Sequence, residues 1–161
     1  MEYCYDCGTK LTIKFLEHEG DIPFCPKCNK FVFPIFSTAV SMVIVNKDKT
    51  KTLFVKQYGT GKNRLVAGYV NKGESAEECL YRELMEEMGV KPLEIKPQKT
   101  LYFEKSNTLL INYLVTLESE DVFPNFEIDE YNWYSVDDGT DAIKEASMAK
   151  QFYEYFMKNN R

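Results

Sequence analysis

Two neighbouring stretches in the first half of the chain have the hydrophobic patterns that are typical of β-strands. Residues 38–45 form a run rich in β-branched side chains, and residues 51–57 alternate between apolar and polar positions. The polar segment between them, residues 46–50, has the composition of a turn. This pattern predicts a β-hairpin, and residues 64–70 predict a further short strand.

A period of three to four residues begins after Ser75 and predicts the best-defined helix of the chain. Ser75 and Glu78 have the spacing of a capping box, and Gly89 followed by Pro92 marks the C-terminal end. The apolar positions that repeat at helical spacing are Ala76, Cys79, Leu80, Leu84 and Met88. We therefore expect a helix between Ser75 and Gly89, with Cys79 in the core.

The second half of the chain alternates between strand patterns and helix patterns. Residues 101–103 and 108–117 have the pattern of strands, and residues 127–134 contain another. Residues 141–158 predict a C-terminal amphipathic helix. Its predicted inward side chains are Ile143, Ala146, Phe152, Tyr155 and Phe156.

The first 35 residues differ from the rest because they carry paired cysteines and few helix signals. We place a domain boundary near residue 35, which divides the chain into a small module, residues 1–35, and a larger domain, residues 36–161. Within the module, residues 11–17 and 31–33 are candidate strands.

The cysteines of the small module form two C-x₂-C motifs, Cys4 with Cys7 and Cys25 with Cys28, separated by seventeen residues. This spacing lets four thiolates converge on one tetrahedral Zn²⁺, as in a zinc ribbon. A redox pair is the alternative. Because a closed site of four cysteines has no open position for a substrate, we expect a structural zinc ion. We interpret His18, between the motifs, as a solvated loop residue.

Composition and charge narrow the class of protein. Of the 161 residues, 44% are hydrophobic and 28% are charged, which is typical of a folded globular chain. The formal net charge of −5 argues against a general nucleic-acid coat protein and fits a protein that recruits cations. The N-terminus lacks the pattern of a secretory signal, and no apolar run approaches the ~18 residues of a membrane helix. We therefore expect a cytoplasmic protein without a membrane partner.

Residues 59–62, Gly-Thr-Gly-Lys, invite comparison with phosphate-binding loops. The segment lacks the full G-x-x-x-x-G-K-[ST] spacing and opens no predicted helix. We interpret it as an ordinary loop.

Glu83, Glu86 and Glu87 lie at i, i+3 and i+4, so on a helix their carboxylates project from one face. Like charges at this spacing repel by a few tenths of a kcal/mol per exposed pair. Bound Mg²⁺ or Mn²⁺ would offset that repulsion, because these hard cations prefer oxygen ligands. A solvated acidic face is the alternative. Arg82 and Gly68 favour a metal site, since Arg82 can pair with a carboxylate and Gly68 permits close approach of the backbone.

The complete pattern G-x₅-E-x₇-R-E-U-x-E-E-x-G-U occupies residues 68–90 without a gap or substitution, where U is the aliphatic Leu84 or Val90. It resembles the signature box of the Nudix hydrolases. The resemblance implies an α+β fold for residues 36–161, an α/β/α sandwich around a mixed sheet, preceded by the zinc ribbon. It also implies a Mg²⁺-dependent enzyme that cleaves a phosphoanhydride bond in a nucleoside diphosphate linked to another group.

The same resemblance implies a role for each acidic or basic residue of the box. Glu83 and Glu87 are the expected principal metal ligands, Glu86 a further ligand or the base, Gly68 a ligand through its carbonyl group, and Glu74 and Arg82 supports. Metal ions would neutralise the diphosphate oxygens while a water held by a carboxylate attacks one phosphorus. Two phosphorylated products would result.

A later acidic residue, Glu130, is the second candidate for the base and an additional candidate for binding the metal. It lies in residues 127–134, which resemble a later acidic strand of the family. A surface carboxylate in an acidic stretch is an alternative of equal weight.

A zinc ribbon directly before a Nudix domain resembles the NADH pyrophosphatase branch, which cleaves NAD(H) into nicotinamide mononucleotide and AMP and can remove NAD caps from RNA. The pattern Glu127-x-x-Glu130-x-x-Trp133 and the Ser-Met-Ala sequence at Ser147 are similar to that branch. The branch also carries an S-Q-P-W-P-F-P-x-S array, yet the matching residues 102–109 lack its Trp and its prolines. The leading expected substrate is therefore NADH, with ADP-ribose and other nucleotide sugars as alternatives.

The expected partner is a small nucleoside diphosphate derivative. Nucleic acid is expected only as the capped end of an RNA, no cofactor is indicated besides the metal ions, and a homodimer is kept open. A different class of function is a nucleic-acid or protein binding module, or a regulator, on a Nudix scaffold. The intact acidic residues of the box argue against it, because a regulator needs no catalytic acids.

Overall fold

A computed structural model describes residues 2–160 as two compact units, with the boundary between Phe36 and Ser37. Residues 1 and 161, the outer ends of the two expected domains, lie outside the described part. No helix among residues 2–160 is long and apolar enough to cross a membrane.

The first unit is a small antiparallel sheet of three strands in the order β1-β2-β3. Its strands are β1 (Thr12–Leu16), β2 (Gly20–Cys25) and β3 (Lys30–Phe31). The pattern did not predict β2, because Gly20 and Pro23 are poor strand residues. Pairing with β1 across the tight turn at His18, whose φ is 71°, holds β2 in the sheet.

The second unit is built around a six-stranded mixed sheet with the order β7-β8-β4-β5-β9, in which β6 pairs with the first half of β4. Strands β4 and β8 run parallel, and the other pairs are antiparallel. In chain order the elements are β4 (Ser37–Asn46), β5 (Lys51–Gln57), β6 (Val66–Tyr69), α1 (Ala76–Met88), β7 (Glu94–Phe103), a 3₁₀ turn (Glu104–Ser106), β8 (Thr108–Leu117), β9 (Ile128–Ser135), α2 (Val136–Ala142) and α3 (Met148–Asn159).

The central strand β4 is buried on both faces, because alternate side chains point in opposite directions. Val40, Met42 and Ile44 pack in one cluster with the apolar stripe of α1. Val43 and Val45 pack in the second cluster with the aromatic side chains of α3. Helices therefore cover both faces of the sheet, and the expected α/β/α sandwich is confirmed.

Helix α1 begins and ends where its sequence signals place it. Ser75 caps its N-terminus by accepting a hydrogen bond from the Glu78 backbone at 3.2 Å, and the Glu78 carboxylate accepts one from the Ser75 backbone at 2.8 Å. Gly89 ends the helix in the left-handed region, with a φ of 66°, and its N–H donates to the Met85 carbonyl at 3.1 Å. The predicted helix is therefore confirmed at both ends.

The prediction of one C-terminal helix over residues 141–158 is wrong. The chain forms α2 and α3 instead, because Ala146 takes a positive φ of 55° and the Ser147 side chain caps a new helix by accepting from the Lys150 backbone at 3.1 Å. Ala146 is exposed and Tyr155 is half-buried, whereas Tyr153 is fully buried in the core.

Strand β7 is seven residues longer than the predicted segment 101–103, beginning at Glu94 rather than at Leu101. Pro97 and the polar residues around it hide the strand pattern. The register with β8 shifts between Pro97 and Thr100. This edge strand tolerates a proline because one of its sides has no neighbouring strand to accept a hydrogen bond.

Candidate active site

Helix α1 lies against β6, and Gly68 is the residue of β6 that allows the closest approach. A Cβ atom added at Gly68 would lie 1.9 Å from Cδ and 2.1 Å from Oε1 of Glu83. The space that any other side chain would need is therefore filled by the Glu83 carboxylate. This contact explains why a glycine stands fifteen positions before the first glutamate of the cluster.

Arg82 connects three carboxylates around the start of the cluster. Its guanidinium donates two hydrogen bonds to Glu74, at 2.8 and 3.0 Å, one to Glu83 at 2.6 Å and one to Glu86 at 3.1 Å. It also donates to the Tyr69 carbonyl at 3.0 Å, which ties α1 to β6. The hydrogen bonds from Arg82 and from the Asn71 backbone lower the pKa of Glu74 to about 2.

Glu87 is the most buried carboxylate of the cluster, with 5% of its surface exposed. Burial, together with the negative charges of Glu83 and Glu127, raises its pKa to about 7. Gln57 donates a hydrogen bond to it at 3.3 Å. Among residues 2–160 no arginine or lysine forms an ion pair with Glu87. A buried acid without a cationic partner is an environment that favours either a proton or a bound cation.

Glu83 shares this environment in part. Burial raises its pKa, and the hydrogen bond and charge of Arg82 oppose the rise. A single guanidinium therefore has to compensate several acids, which leaves the cluster short of positive charge.

An open cavity of about 610 Å³ lies beside these residues. Four residues of the expected site line it, together with one that was not singled out: Gly68, Arg82, Glu83, Glu87 and Glu127. The exposed ring of Tyr58 and the side chains of Tyr69 and Phe103 form part of its wall. Carboxylates, one guanidinium and aromatic rings thus face one space large enough for part of a nucleotide.

Glu86 and Glu130 lie outside the lining of this cavity. Glu86 projects from α1 with 56% of its side chain exposed and reaches the others only through Arg82. Glu130 lies on β9, where it forms an ion pair with Lys56 at 2.8 Å and accepts a hydrogen bond from Asn132 at 2.7 Å. Both contacts lower the pKa of Glu130.

Sequence reasoning missed Glu127 and Gln57. Glu127 stands three positions before Glu130 but lies in the turn directly before β9, where its N–H donates to the Asn125 side chain at 2.9 Å. Gln57 is the last residue of β5 and is buried, and a buried polar residue at a strand end gave no local signal.

The four paired cysteines form a second cluster, in the first unit. The sulfur atoms of Cys4, Cys7, Cys25 and Cys28 all lie within 4.8 Å of one another, and all are free thiols. Four sulfurs around one Zn²⁺ at about 2.3 Å stand roughly 3.8 Å apart, so the donor set and its spacing fit that ion.

The thiols differ in acidity. Hydrogen bonds from Thr9 lower the pKa of Cys7 to about 6, whereas the neighbouring Cys7 sulfur and burial raise the pKa of Cys28 to about 12. The sulfur of Cys7 thus opposes the deprotonation of Cys28, and a bound cation would remove that opposition.

Comparisons with known proteins add to this geometry. A model of the NUDIX domain matches residues 36–156. The chain is 24% identical over 156 residues to the NAD-capped RNA hydrolase NudC of Pseudomonas aeruginosa (strain LESB58), covering 96% of this chain and 55% of that protein. The chain thus spans about half the length of the curated relatives it matches.

Solved structures agree with the fold. A NUDIX hydrolase from Nitrosomonas europaea superposes with a TM-score of 0.60 at 19% identity, covering 99% of this chain and 92% of that one. The NUDIX domain of Shewanella oneidensis NrtR, complexed with ADP ribose, gives a TM-score of 0.65 at 19% identity over 84% and 92% of the two chains. With the domain model matching most of its length and the signature box gathered on α1, the chain belongs to the NUDIX family.

Proposed function

We propose that this chain hydrolyses a phosphoanhydride bond in a nucleoside diphosphate linked to a second group, with Mg²⁺ or Mn²⁺ held by Glu83 and Glu87. The observation that carries the proposal is the buried Glu87, which lies beside Glu83 in the cavity and forms no ion pair with any cation of residues 2–160. A protein does not bury adjacent acids without compensation, because each buried charge costs several kcal/mol, as a rough figure. A divalent cation with oxygen ligands supplies that compensation.

The ligand set we propose consists of the Glu83 and Glu87 carboxylates and the Gly68 carbonyl, with Glu127 as a further carboxylate of the same cavity. When bound, the divalent ions neutralise the diphosphate oxygens and assist the attack of water on phosphorus. Arg82 positions the cluster, since its hydrogen bonds hold Glu83 at 2.6 Å and Glu86 at 3.1 Å.

A carboxylate must accept the proton of the attacking water. The candidates are Glu86, already a candidate from the sequence, and Glu127, which the cavity lining adds. Glu127 lines the cavity, and Glu86 is exposed within one turn of Glu83. Glu130 was a candidate from sequence, but its ion pair with Lys56 supports a structural role on β9. The water oxygen joins one phosphorus, the bridging oxygen leaves with the other, and two phosphorylated products form.

The substrate we propose is a dinucleotide or a nucleotide sugar rather than a simple nucleoside triphosphate. NAD caps are the substrate named for the NudC relatives, and ADP ribose is the ligand named for the NrtR domain. Tyr58, Tyr69 and Phe103 at the cavity offer aromatic surfaces on which the nucleobase of such a substrate can stack.

We further propose that the first unit is a zinc ribbon whose ion is structural. Four convergent sulfurs leave no position for a substrate, and among residues 2–36 the buried residues of the core are only Cys4, Cys25 and Val32. Free thiols in this arrangement persist in a reducing compartment, which supports a cytoplasmic location.

A substrate panel tests the proposal. NADH, NAD, ADP-ribose, nucleotide sugars, diadenosine polyphosphates and dNTPs are incubated with the protein, with Mg²⁺, with Mn²⁺ and with chelator, and phosphorylated products are separated. We expect divalent-ion-dependent turnover of at least one dinucleotide or nucleotide sugar. Inactivity of folded, metal-supplemented protein across the whole panel would favour the alternative, a binding module or regulator on the same scaffold.

A further inference from the structure

A second cavity, of about 470 Å³, adjoins the one lined by carboxylates. The two share Tyr58, Ala67 and Leu110 in their walls, so the cavities are neighbours on the same part of the second unit. Apolar side chains, among them Leu65 and Phe152, line part of the second cavity.

Three cations line this second cavity, and no carboxylate does. They are Lys62, Arg64 and Lys144, and none of them forms an ion pair within residues 2–160. Other lysines of this acidic chain do find partners: Lys47 pairs with Glu118 at 2.5 Å and Lys51 with Glu120 at 2.7 Å. All three are solvent-exposed, and their convergence on one cavity without a carboxylate, in a protein with net charge −5, makes that cavity a site to which an anion is attracted.

The backbone around these cations is held in place. Gly59 donates to the Asp129 carboxylate at 2.7 Å, and Thr60 donates to the Gln57 carbonyl at 3.0 Å. Asn63, between the two cations of this segment, donates to the Ala142 carbonyl at 3.0 Å, two residues before Lys144. A direct hydrogen bond thus connects the two segments that carry these cations, although the segments lie about eighty positions apart in the chain.

The loop interpretation of residues 59–62 holds, since this segment opens no helix. Its lysine nevertheless faces a cavity rather than open solvent alone. This site differs from a phosphate-binding loop. An anion bound here would contact side chains from two segments, whereas a phosphate-binding loop holds its anion with a cradle of backbone N–H groups.

We propose that the substrate carries a phosphate group besides its scissile diphosphate, attached to a ribose, and that Lys62, Arg64 and Lys144 bind it. This inference rests on the proposed function, because it places the scissile diphosphate in the carboxylate cavity next door. A phosphate carries up to two negative charges and three acceptor oxygens, which suits an arginine fork and two lysine ammonium groups. The two sources of this chemistry are a ribose phosphate monoester of a small dinucleotide and the first phosphodiester of a capped RNA.

Binding of three small nucleotides tests the site without turnover. In calorimetric titrations we expect adenosine 2′,5′-bisphosphate or adenosine 3′,5′-bisphosphate to bind about tenfold more tightly than 5′-AMP, because charged hydrogen bonds to a phosphate are among the stronger ones. The 2′ compound represents the small dinucleotide, and the 3′ compound represents RNA. Arg64→Ala and the double variant Lys62→Ala/Lys144→Ala should each remove most of the preference.

Lys91→Ala is the matched control, because Lys91 is exposed and lines neither cavity. It should keep the preference for the bisphosphate. Equal binding of all three nucleotides, or a preference that survives both cavity variants, would overturn the inference.

Kinetics separate this inference from the proposed function. NADPH differs from NADH only in one 2′-phosphate, and NAD-capped dinucleotide RNA differs from NAD by one phosphodiester-linked nucleotide. We expect kcat/KM to favour the phosphorylated member of at least one pair by about tenfold, and Arg64→Ala to bring that ratio towards one. Turnover of every compound without such a ratio would reject the inference alone. Absence of all turnover, with the bisphosphate preference intact, would reject the proposed function and retain the phosphate site.

Discussion

At the scale of single residues, Glu87 is a buried carboxylate with other carboxylates, Glu83 and Glu127, near it. It accepts a hydrogen bond from Gln57, a neutral donor, while Arg82, the cation on the same helix, donates to Glu74, Glu83 and Glu86. The side chain can therefore be stabilised in two ways, by a proton or by a bound cation, and each of them can be measured.

Replacement of Glu87 by glutamine removes a negative charge and keeps the shape of the side chain. We expect Glu87→Gln to lower kcat/KM at least about tenfold, because a metal-ligand carboxylate is lost. Glu118→Gln is the matched control, since Glu118 is an exposed partner of Lys47 away from the cavity. Equal loss in both variants, or none in Glu87→Gln, would contradict the metal assignment.

The pKa of Glu87 predicts how the stability of the metal-free chain depends on pH. The folded-state pKa of about 7 lies above the usual value of 4.5, so the folded chain retains a proton that the unfolded chain releases. The resulting stabilisation is fully present below about pH 4.5 and is lost as the pH rises through about 7. Its upper bound is on the order of 3 kcal/mol.

Urea unfolding in chelator at pH 5, 6, 7 and 8 measures this effect. The free energy of unfolding of the wild type, relative to Glu87→Gln, should fall over that range, and added Mg²⁺ should restore it for the wild type at pH 8. Parallel pH profiles of the two proteins would show that Glu87 does not hold the proton.

Gly68→Ala tests the contact between β6 and the cluster. The new Cβ would overlap Cδ of Glu83, at 1.9 Å, so the carboxylate has to move. Because this side chain is flexible, we expect a cost in stability of no more than about 1 kcal/mol but a loss of about tenfold or more in kcat/KM. Unfolding curves and steady-state rates on the same preparations separate the two effects. A large loss of stability at unchanged activity would contradict the assignment of this contact.

At the scale of elements, α1 is the helix that presents the carboxylates, and its start depends on one capping box. Ser75→Ala removes the side-chain acceptor for the Glu78 N–H and should lower the free energy of unfolding by about 1 kcal/mol. Ser75→Asp keeps an acceptor and should cost much less. Equal unfolding midpoints for the two variants would show that the cap contributes nothing.

Elements were predictable where the signal is local. The capping box and the αL glycine lie within or next to α1, and the helix was found at both ends. The break between α2 and α3 was missed because Ser147 is one cap within an unbroken apolar pattern, and only packing against the sheet decides that Tyr153 rather than Tyr155 is buried. The first seven residues of β7 were missed because its pairing with β8 overrides Pro97.

The residues of the candidate site likewise divide into those that local spacing predicts and those that it does not. Glu83, Glu87 and Arg82 lie on one helix, so their spacing alone places them together. Gln57, the last residue of β5, and Glu127, in the turn before β9, enter the site through the order of the sheet, in which β5 lies between β4 and β9. Residues brought in by tertiary pairing have no fixed spacing from the box, and a single sequence carries no signal for them.

At the scale of the whole molecule, the chain consists of two compact units that differ in how they are stabilised. The second unit has two apolar clusters, one on each face of its sheet. The first has three buried residues, two of which are cysteines. A unit of fewer than about 40 residues seldom folds on its own without disulfides or a metal ion, and all of its cysteines are free thiols.

Stability of the first unit should therefore depend on zinc, and that of the second should not. We expect elemental analysis of protein purified without chelator to find one zinc ion per chain, absent from Cys25→Ser and retained in Cys79→Ser, whose cysteine lies buried in α1. When zinc is removed under reducing conditions, hydrogen exchange should accelerate in residues 2–36 while the amides of β4 and α1 keep their protection, because none of the four clustered cysteines belongs to the core of the second unit. Unchanged protection in residues 2–36 would mean that hydrogen bonds and the small core suffice without the metal. Loss of protection throughout both units would mean that they unfold as one cooperative body.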